Sequence, residues 1–178
     1  MAPRIAPGTW RDLGPINWMI ARALARAAGT RDGNLFTTLG RHRRLFRGWL
    51  AFAAHLMPGG VLARRDTELV ILRVAHLRGC AYELDHHRRL AARAGVAPAI
   101  AARVAAGPDA AGWTARERAL LAATDALVAR RDLDDATWAA LRRCWDEPAI
   151  IELCLLVGHY DLLATTIAAL RIARDRPR

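Results

Sequence analysis

An acid, a thiol and an imidazole fall within one stretch of this chain, RDTELVILRVAHLRGCAYELDHHRRLAARAG, residues 65–95. Cys80, Glu83 and His87 stand at i, i+3 and i+7, one stripe of a helix. Glu83 and His87, four apart, can touch. A carboxylate beside an imidazole favours imidazolium and fixes its orientation, which suits general acid–base work where water is excluded. The plainer reading is an exposed helix pair worth about 0.2–0.5 kcal/mol. Glu68 lies in a run otherwise rich in Leu, Val and Ile. Pointing inward, it must be paired or protonated; pointing outward, it is a first-turn carboxylate favoured by the helix dipole. Cys80 sits near a helix start, where a thiol pKa falls, so it is a candidate nucleophile. A small packed cysteine is the alternative.

Two helices must position these groups, one over about 66–77 and one over about 81–94, with Gly79 between them and Gly95 ending the second. Tyr82 and His86 are also four apart, on a different part of the second helix; Tyr82 could line a site and His86 reads as surface. His159 and Tyr160 lie in GHYDLLA on an apolar final helix, where a histidine is more often a core or interface residue than a catalyst.

The 65–95 stretch resembles the core motif of the carboxymuconolactone decarboxylase and AhpD-like alkylhydroperoxidase family. The peroxidase branch shows Glu, eleven residues, Cys-x-x-Cys, three residues, then His. Here Glu68 is followed by eleven residues and Cys80, and His87 stands at the His position. Glu83 occupies the second Cys position; Tyr82-Glu83 with His87 is similar to the YE…H version of members without the thiol pair. The resemblance runs more loosely from about Asn34 to Ile172, and GHYDLLA resembles the family's late segment.

That resemblance implies an all-α fold and a proton relay of Glu68 with His87. It implies cofactor-independent proton transfer or decarboxylation on a small anionic oxygenated substrate, a lactone or keto acid. His87 would be the acid–base residue, Glu83 would orient it or replace a proton donor, and Tyr82 and His159 are the candidate substrate-binding residues. In the peroxidase branch the second motif thiol attacks peroxide and the first resolves the disulfide. Only the first, Cys80, remains here, so a peroxidase cycle would need an external thiol. The family also implies a homo-oligomer, for which the Trp-rich and Ala-rich helices could supply an interface.

The rest of the chain reads as helices over about 16–28, 34–56, 98–106, 115–129, from 134 or 135, and 146–173. Thr114 and Glu117 form a capping-box pattern, and Asn34 and Asp146 read as caps. No stretch alternates like a strand. We expect an all-α single-domain bundle of about eight helices over 16–173, after an N-terminal arm over 1–15 and before a loose tail over 174–178.

All 27 basic residues are arginine, and the net charge is +10. Such a balance can mark nucleic-acid binding, but the arginines are spread along every expected helix. We therefore place a non-enzymatic arginine-rich binding protein last among the readings. Arg41, His42, Arg43, Arg44 and Arg47 form a local basic patch that could hold a phosphate or carboxylate; a solvated or salt-bridged face is the favoured reading. Cys80, Cys144 and Cys154 give no disulfide framework or metal spacing, so a reduced cytoplasmic setting without metal is expected. The N-terminus lacks the apolar core of a signal peptide. The apolar run 148–170 contains Glu152, His159 and Asp161, too many ionisable groups for a comfortable membrane span.

Overall fold

The computed structural model describes residues 2–178, which form nine α-helices and no strand. They are α1 (Trp10–Ala27), α2 (Asn34–Gly40), α3 (Arg43–Leu56), α4 (Arg64–Leu77), α5 (Ala81–Arg93), α6 (Pro98–Ala106), α7 (Ala115–Arg130), α8 (Asp135–Arg142) and α9 (Glu147–Leu170). Two compact units divide the chain: residues up to Ala54 together with Thr165 onward, and His55–Ala164.

The first unit packs Leu13, Ala21 and Phe46 with Trp18, Ile20, Phe36, Leu39, Trp49 and Leu50. Helix α1 starts at Trp10, inside the stretch expected to be an extended arm. It is broken at Gly14, whose φ of +73° an L side chain rarely adopts, and Pro15 follows. A proline cannot donate to the carbonyl four residues back, and its ring crowds that carbonyl. Arg43 answers the break: its guanidinium donates to the Arg11 and Asp12 carbonyls, both at 2.8 Å. Arg41 reaches the Ala6 carbonyl and Asp12, and Arg47 the Asn17 side chain. Three arginines of the basic patch thus brace α1.

The single helix expected over 34–56 is two, interrupted after Gly40. Gly33, not Asn34, is the cap of α2. Asn34 instead donates through its backbone to Asp175 and through its side chain to the Ala173 carbonyl. Arg176 pairs with Asp32, and Thr30 forms a bridge with Pro177, so the last residues, expected to be loose, are bonded to their own unit.

The second unit is built round α4. Asp66 to Ala75 are all buried, ten residues in succession, so this helix is covered on every side. It packs against α5, α6 and α7. Each fully buried Leu, Ile or Val contributes about 1.5–3 kcal/mol. Helix α4 begins at Arg64, two residues before the expected start at 66, with Ala63 in the cap position. Arg73 leaves α4 to pair with Asp125 of α7 and to donate to the Val104 and Ala105 carbonyls at the end of α6.

The turn from α4 to α5 is closed by two bonds. Gly79 donates to the His76 carbonyl and Cys80 to the Ala75 carbonyl, with Gly79 at φ +60°. This is the left-handed helix ending that satisfies the last carbonyls of α4. It makes Cys80 the N-cap of α5 and fixes the two helices with no slack between them. The capping box at Thr114–Glu117 is present, and Asp146 accepts from the Ala149 amide at the start of α9. Helix α9 runs as one helix through Gly158. By length and composition it could cross a membrane, but Leu153, Leu156, Val157, Tyr160 and Leu163 are buried, as in a core helix.

Candidate active site

Glu68 is completely buried on α4, and two groups hold its carboxylate. Arg64, one turn earlier, donates to Oε1 at 2.5 Å. His87, from α5, lies with Nδ1 at 2.9 Å from Oε2. A carboxylate paired with an arginine can only accept, so His87 Nδ1 carries the proton of this bond and the tautomer is set. That leaves Nε2 as the nitrogen able to take or give a proton. Among the described residues Nε2 has no hydrogen-bond partner.

Tyr160 of α9 closes the group. It meets the His87 ring edge-on, with centroids 5.0 Å apart. Burial pushes its phenol well above the ordinary range, and the charges of Glu68 and Glu83 add to that shift. Tyr160 therefore stays protonated and lies within electrostatic reach of both acids.

Glu83 and Cys80 share the His87 face of α5. Both Glu83 carboxyl oxygens are buried without a well-aligned hydrogen-bond partner. Burial pushes this acid up to about 8; the nearby Cys80 thiol opposes the shift and the Asp161 charge adds to it. At neutral pH Glu83 is mainly a protonated acid, able to donate. Burial, then the charge of Glu83, pushes the Cys80 thiol up to about 12. The lowering expected from the start of α5 is outweighed, because burial removes the water that would stabilise a thiolate.

The structure thus joins Glu68 to His87 directly, while Glu83 makes no hydrogen bond to the imidazole four residues on. Tyr82 lies elsewhere on α5, buried and stacked on His86 with centroids 4.6 Å apart. His86, expected at the surface, is buried, because this face of α5 is covered too. His159 is buried beside Tyr160, and burial lowers its pKa to about 4, so it is neutral at pH 7.

Arg64 and Tyr160 are the two participants that sequence reasoning passed over. Arg64 carried a signal, four residues before Glu68, which was hidden by starting the helix at 66. Tyr160 stood next to the histidine that drew attention. Only the contact between α9 and α5 separates their roles. A separate concavity of about 530 Å³ at the α8–α9 junction, lined by residues 142–148, contains none of these groups.

The arrangement can be compared with known proteins. Residues 43–126 match the carboxymuconolactone decarboxylase family. The family segment holds Arg64, Glu68, Cys80, Glu83 and His87, and ends before His159 and Tyr160. No curated protein matches the chain.

Several solved structures share the fold. An uncharacterized peroxidase-related protein from Ralstonia eutropha JMP134, with an alkylhydroperoxidase AhpD core, superposes with a TM-score of 0.82 at 19% identity, covering 99% of this chain and 92% of that one. A peroxidase-related protein from Silicibacter sp. TM1040 gives 0.81 at 15% identity, covering 100% and 95%. The debrominase Bmp8, as a cysteine-to-alanine variant in complex with 2,3,4-tribromopyrrole, gives 0.82 at 18% identity, covering 97% and 92%. At these identities the likeness establishes the AhpD-like all-α fold.

Proposed function

We propose that this chain is an enzyme of cofactor-independent acid–base chemistry, transferring a proton to or from a small anionic oxygenated substrate such as a lactone or keto acid. The observation that carries this reading is the buried Glu68–His87 pair, which orients the imidazole and, among the described residues, leaves Nε2 without a hydrogen-bond partner. His87 is the acid–base group. Glu68 holds it in place. Arg64, its side chain 38% exposed, is the cation able to receive a substrate carboxylate or a developing oxyanion. Glu83, protonated near neutral pH, supplies a proton to the carbon of an enolate. In a decarboxylation the bond to the leaving carboxylate breaks, its electron pair forms the enolate, and that proton completes the product.

The competing reading is a thiol peroxidase using Cys80 and an external thiol, in keeping with the peroxidase-related neighbours. A thiol held at about 12 is poorly suited to attack peroxide, so the acid–base reading is preferred. A cytoplasmic setting agrees with the three free cysteines. The test is a screen of small lactones, keto acids and hydroperoxides against wild type, His87→Ala and Cys80→Ser. Turnover lost in His87→Ala and kept in Cys80→Ser supports acid–base chemistry. Peroxide consumption lost in Cys80→Ser would replace it.

A further inference from the structure

The concavity at the α8–α9 junction brings together a thiol, a free cation and a buried donor. Its volume, about 530 Å³, suits a small molecule, and residues 142–148 line it. Arg142 lies 3.5 Å from Glu147, and the Asp146 carboxylate caps α9 by accepting from the Ala149 amide. Arg143 is exposed and, among the described residues, its side chain has no partner. One guanidinium is thus free to meet a carboxylate, while Asp146 and Glu147 keep oxygen lone pairs for an ammonium. The lining suits a zwitterion better than a plain anion. Cys144 stands among these groups as a free, half-buried thiol.

Trp145 carries the second, independent observation. It is 8% exposed, and its indole N–H is a buried donor with no partner. Arg116 of α7 lies over the ring, its guanidinium carbon 4.0 Å from the centroid, and donates to the Cys144 carbonyl at 2.7 Å. A cation over the face fixes the ring but cannot satisfy an N–H that lies in the ring plane and can only donate. The Cys144 and Trp145 amides both donate to the Leu141 carbonyl, so the backbone here is fixed as well. A buried donor left unpaired is costly and calls for an acceptor. With Trp145 lining a concavity, that acceptor is an oxygen of a bound molecule.

We infer that the α8–α9 concavity is a thiolation site: it seats a small disulfide bearing a carboxylate and an ammonium, of the cysteine-peptide class, and Cys144 exchanges with it. Arg143 receives the carboxylate, the Trp145 N–H donates to a carboxylate or carbonyl oxygen, and Asp146 or Glu147 meets the ammonium. The Cys144 proton passes to water, and the thiolate sulfur attacks one sulfur of the disulfide. The new S–S bond forms as the old one breaks, and the departing half leaves with the electron pair as a thiolate. Cys144 is oxidised to a mixed disulfide and half of the ligand is reduced to a thiol. The site uses no residue of the Glu68–His87 group and stands independently of the reaction proposed above.

Two probes test this on the reduced full chain: glutathione disulfide, which is zwitterionic, and bis(2-hydroxyethyl) disulfide, which is neutral. Acid quenching and peptide mass mapping give the initial rate of adduct formation at Cys144 with each. The ratio of the two rates removes the thiol's own reactivity and exposure, and the same ratio in urea gives the preference of Cys144 without the site. The folded chain should favour glutathione disulfide over the urea value by about tenfold or more. Arg143→Ala, at an exposed position, should return the ratio to the urea value. Trp145→Phe, which keeps a ring under Arg116 and removes the N–H, should lower it by about threefold. If Trp145→Phe loses its helical circular dichroism, Arg143→Ala decides alone. A folded ratio no higher than the urea value, or one indifferent to a folded Arg143→Ala, overturns the proposal. Adducts confined to Cys154 overturn it as well.

Discussion

Cys80 and Glu83 share one stripe of α5, and burial acts on both in the same direction, against the charged form. For the thiol the outcome is inertness. Iodoacetamide at pH 8, followed by mass spectrometry, should modify the half-buried Cys144 well before the buried Cys80, and Cys80→Ser should change acid–base turnover by less than about threefold. For the acid the outcome is a pH dependence. The folded chain holds the Glu83 proton up to about pH 8, whereas the model carboxyl releases it near 4.5. Between those values the native state binds more protons than the unfolded state, so stability is full below about pH 4.5 and falls as pH rises towards 8. Glu83→Gln should unfold like wild type near pH 4.5 and gain on it by a few kcal/mol at pH 8 in urea titrations. Activity that needs the protonated acid should decline above about pH 8 in wild type, and Glu83→Gln, which has no acidic proton to give, should lower turnover at every pH and leave a residual rate without that limb. His87→Ala should reduce turnover by roughly 10²–10⁴-fold, measured as kcat.

At the scale of helices, Arg73 is the tie among α4, α6 and α7. Its guanidinium meets both oxygens of Asp125 and two carbonyls. Arg73→Ala leaves Asp125 and those carbonyls without their donor and should cost about 3 kcal/mol in chemical denaturation. Much of the element layout was legible in advance. The α4–α5 pair, its glycine turn and the Thr114 capping box all show in local patterns of polarity and cap residues. The break at Arg41–His42 did not show, because apolar spacing continues across it and only packing against α1 reveals the interruption. The site was half legible. Glu68 and His87 have a recognisable spacing, but the Arg64 and Tyr160 contacts that complete the group are tertiary facts. The i,i+4 rule pointed His87 towards Glu83, whereas the family resemblance implied a relay with Glu68, and it is the fully buried Glu68 on the facing helix that forms the hydrogen bond.

On the scale of the molecule, the arginines have structural work. Many reach backbone carbonyls or carboxylates within the chain, as Arg41, Arg43, Arg73 and Arg78 do. A net charge of +10 nevertheless remains, and duplex DNA should bind only in the non-specific range, about 10⁻⁴–10⁻⁶ M at physiological salt. Fluorescence anisotropy with salt titration measures this, and nanomolar binding would restore the nucleic-acid reading.

Tyr160 and Gly158 lie two residues apart on α9, about 200° round its axis. One touches the imidazole and the other the outer surface. A rigid helix cannot shift one without the other. Gly158→Pro, which breaks the helix beside it, should therefore unseat Tyr160 from His87 and lower any turnover at the imidazole, measured as kcat beside helical circular dichroism.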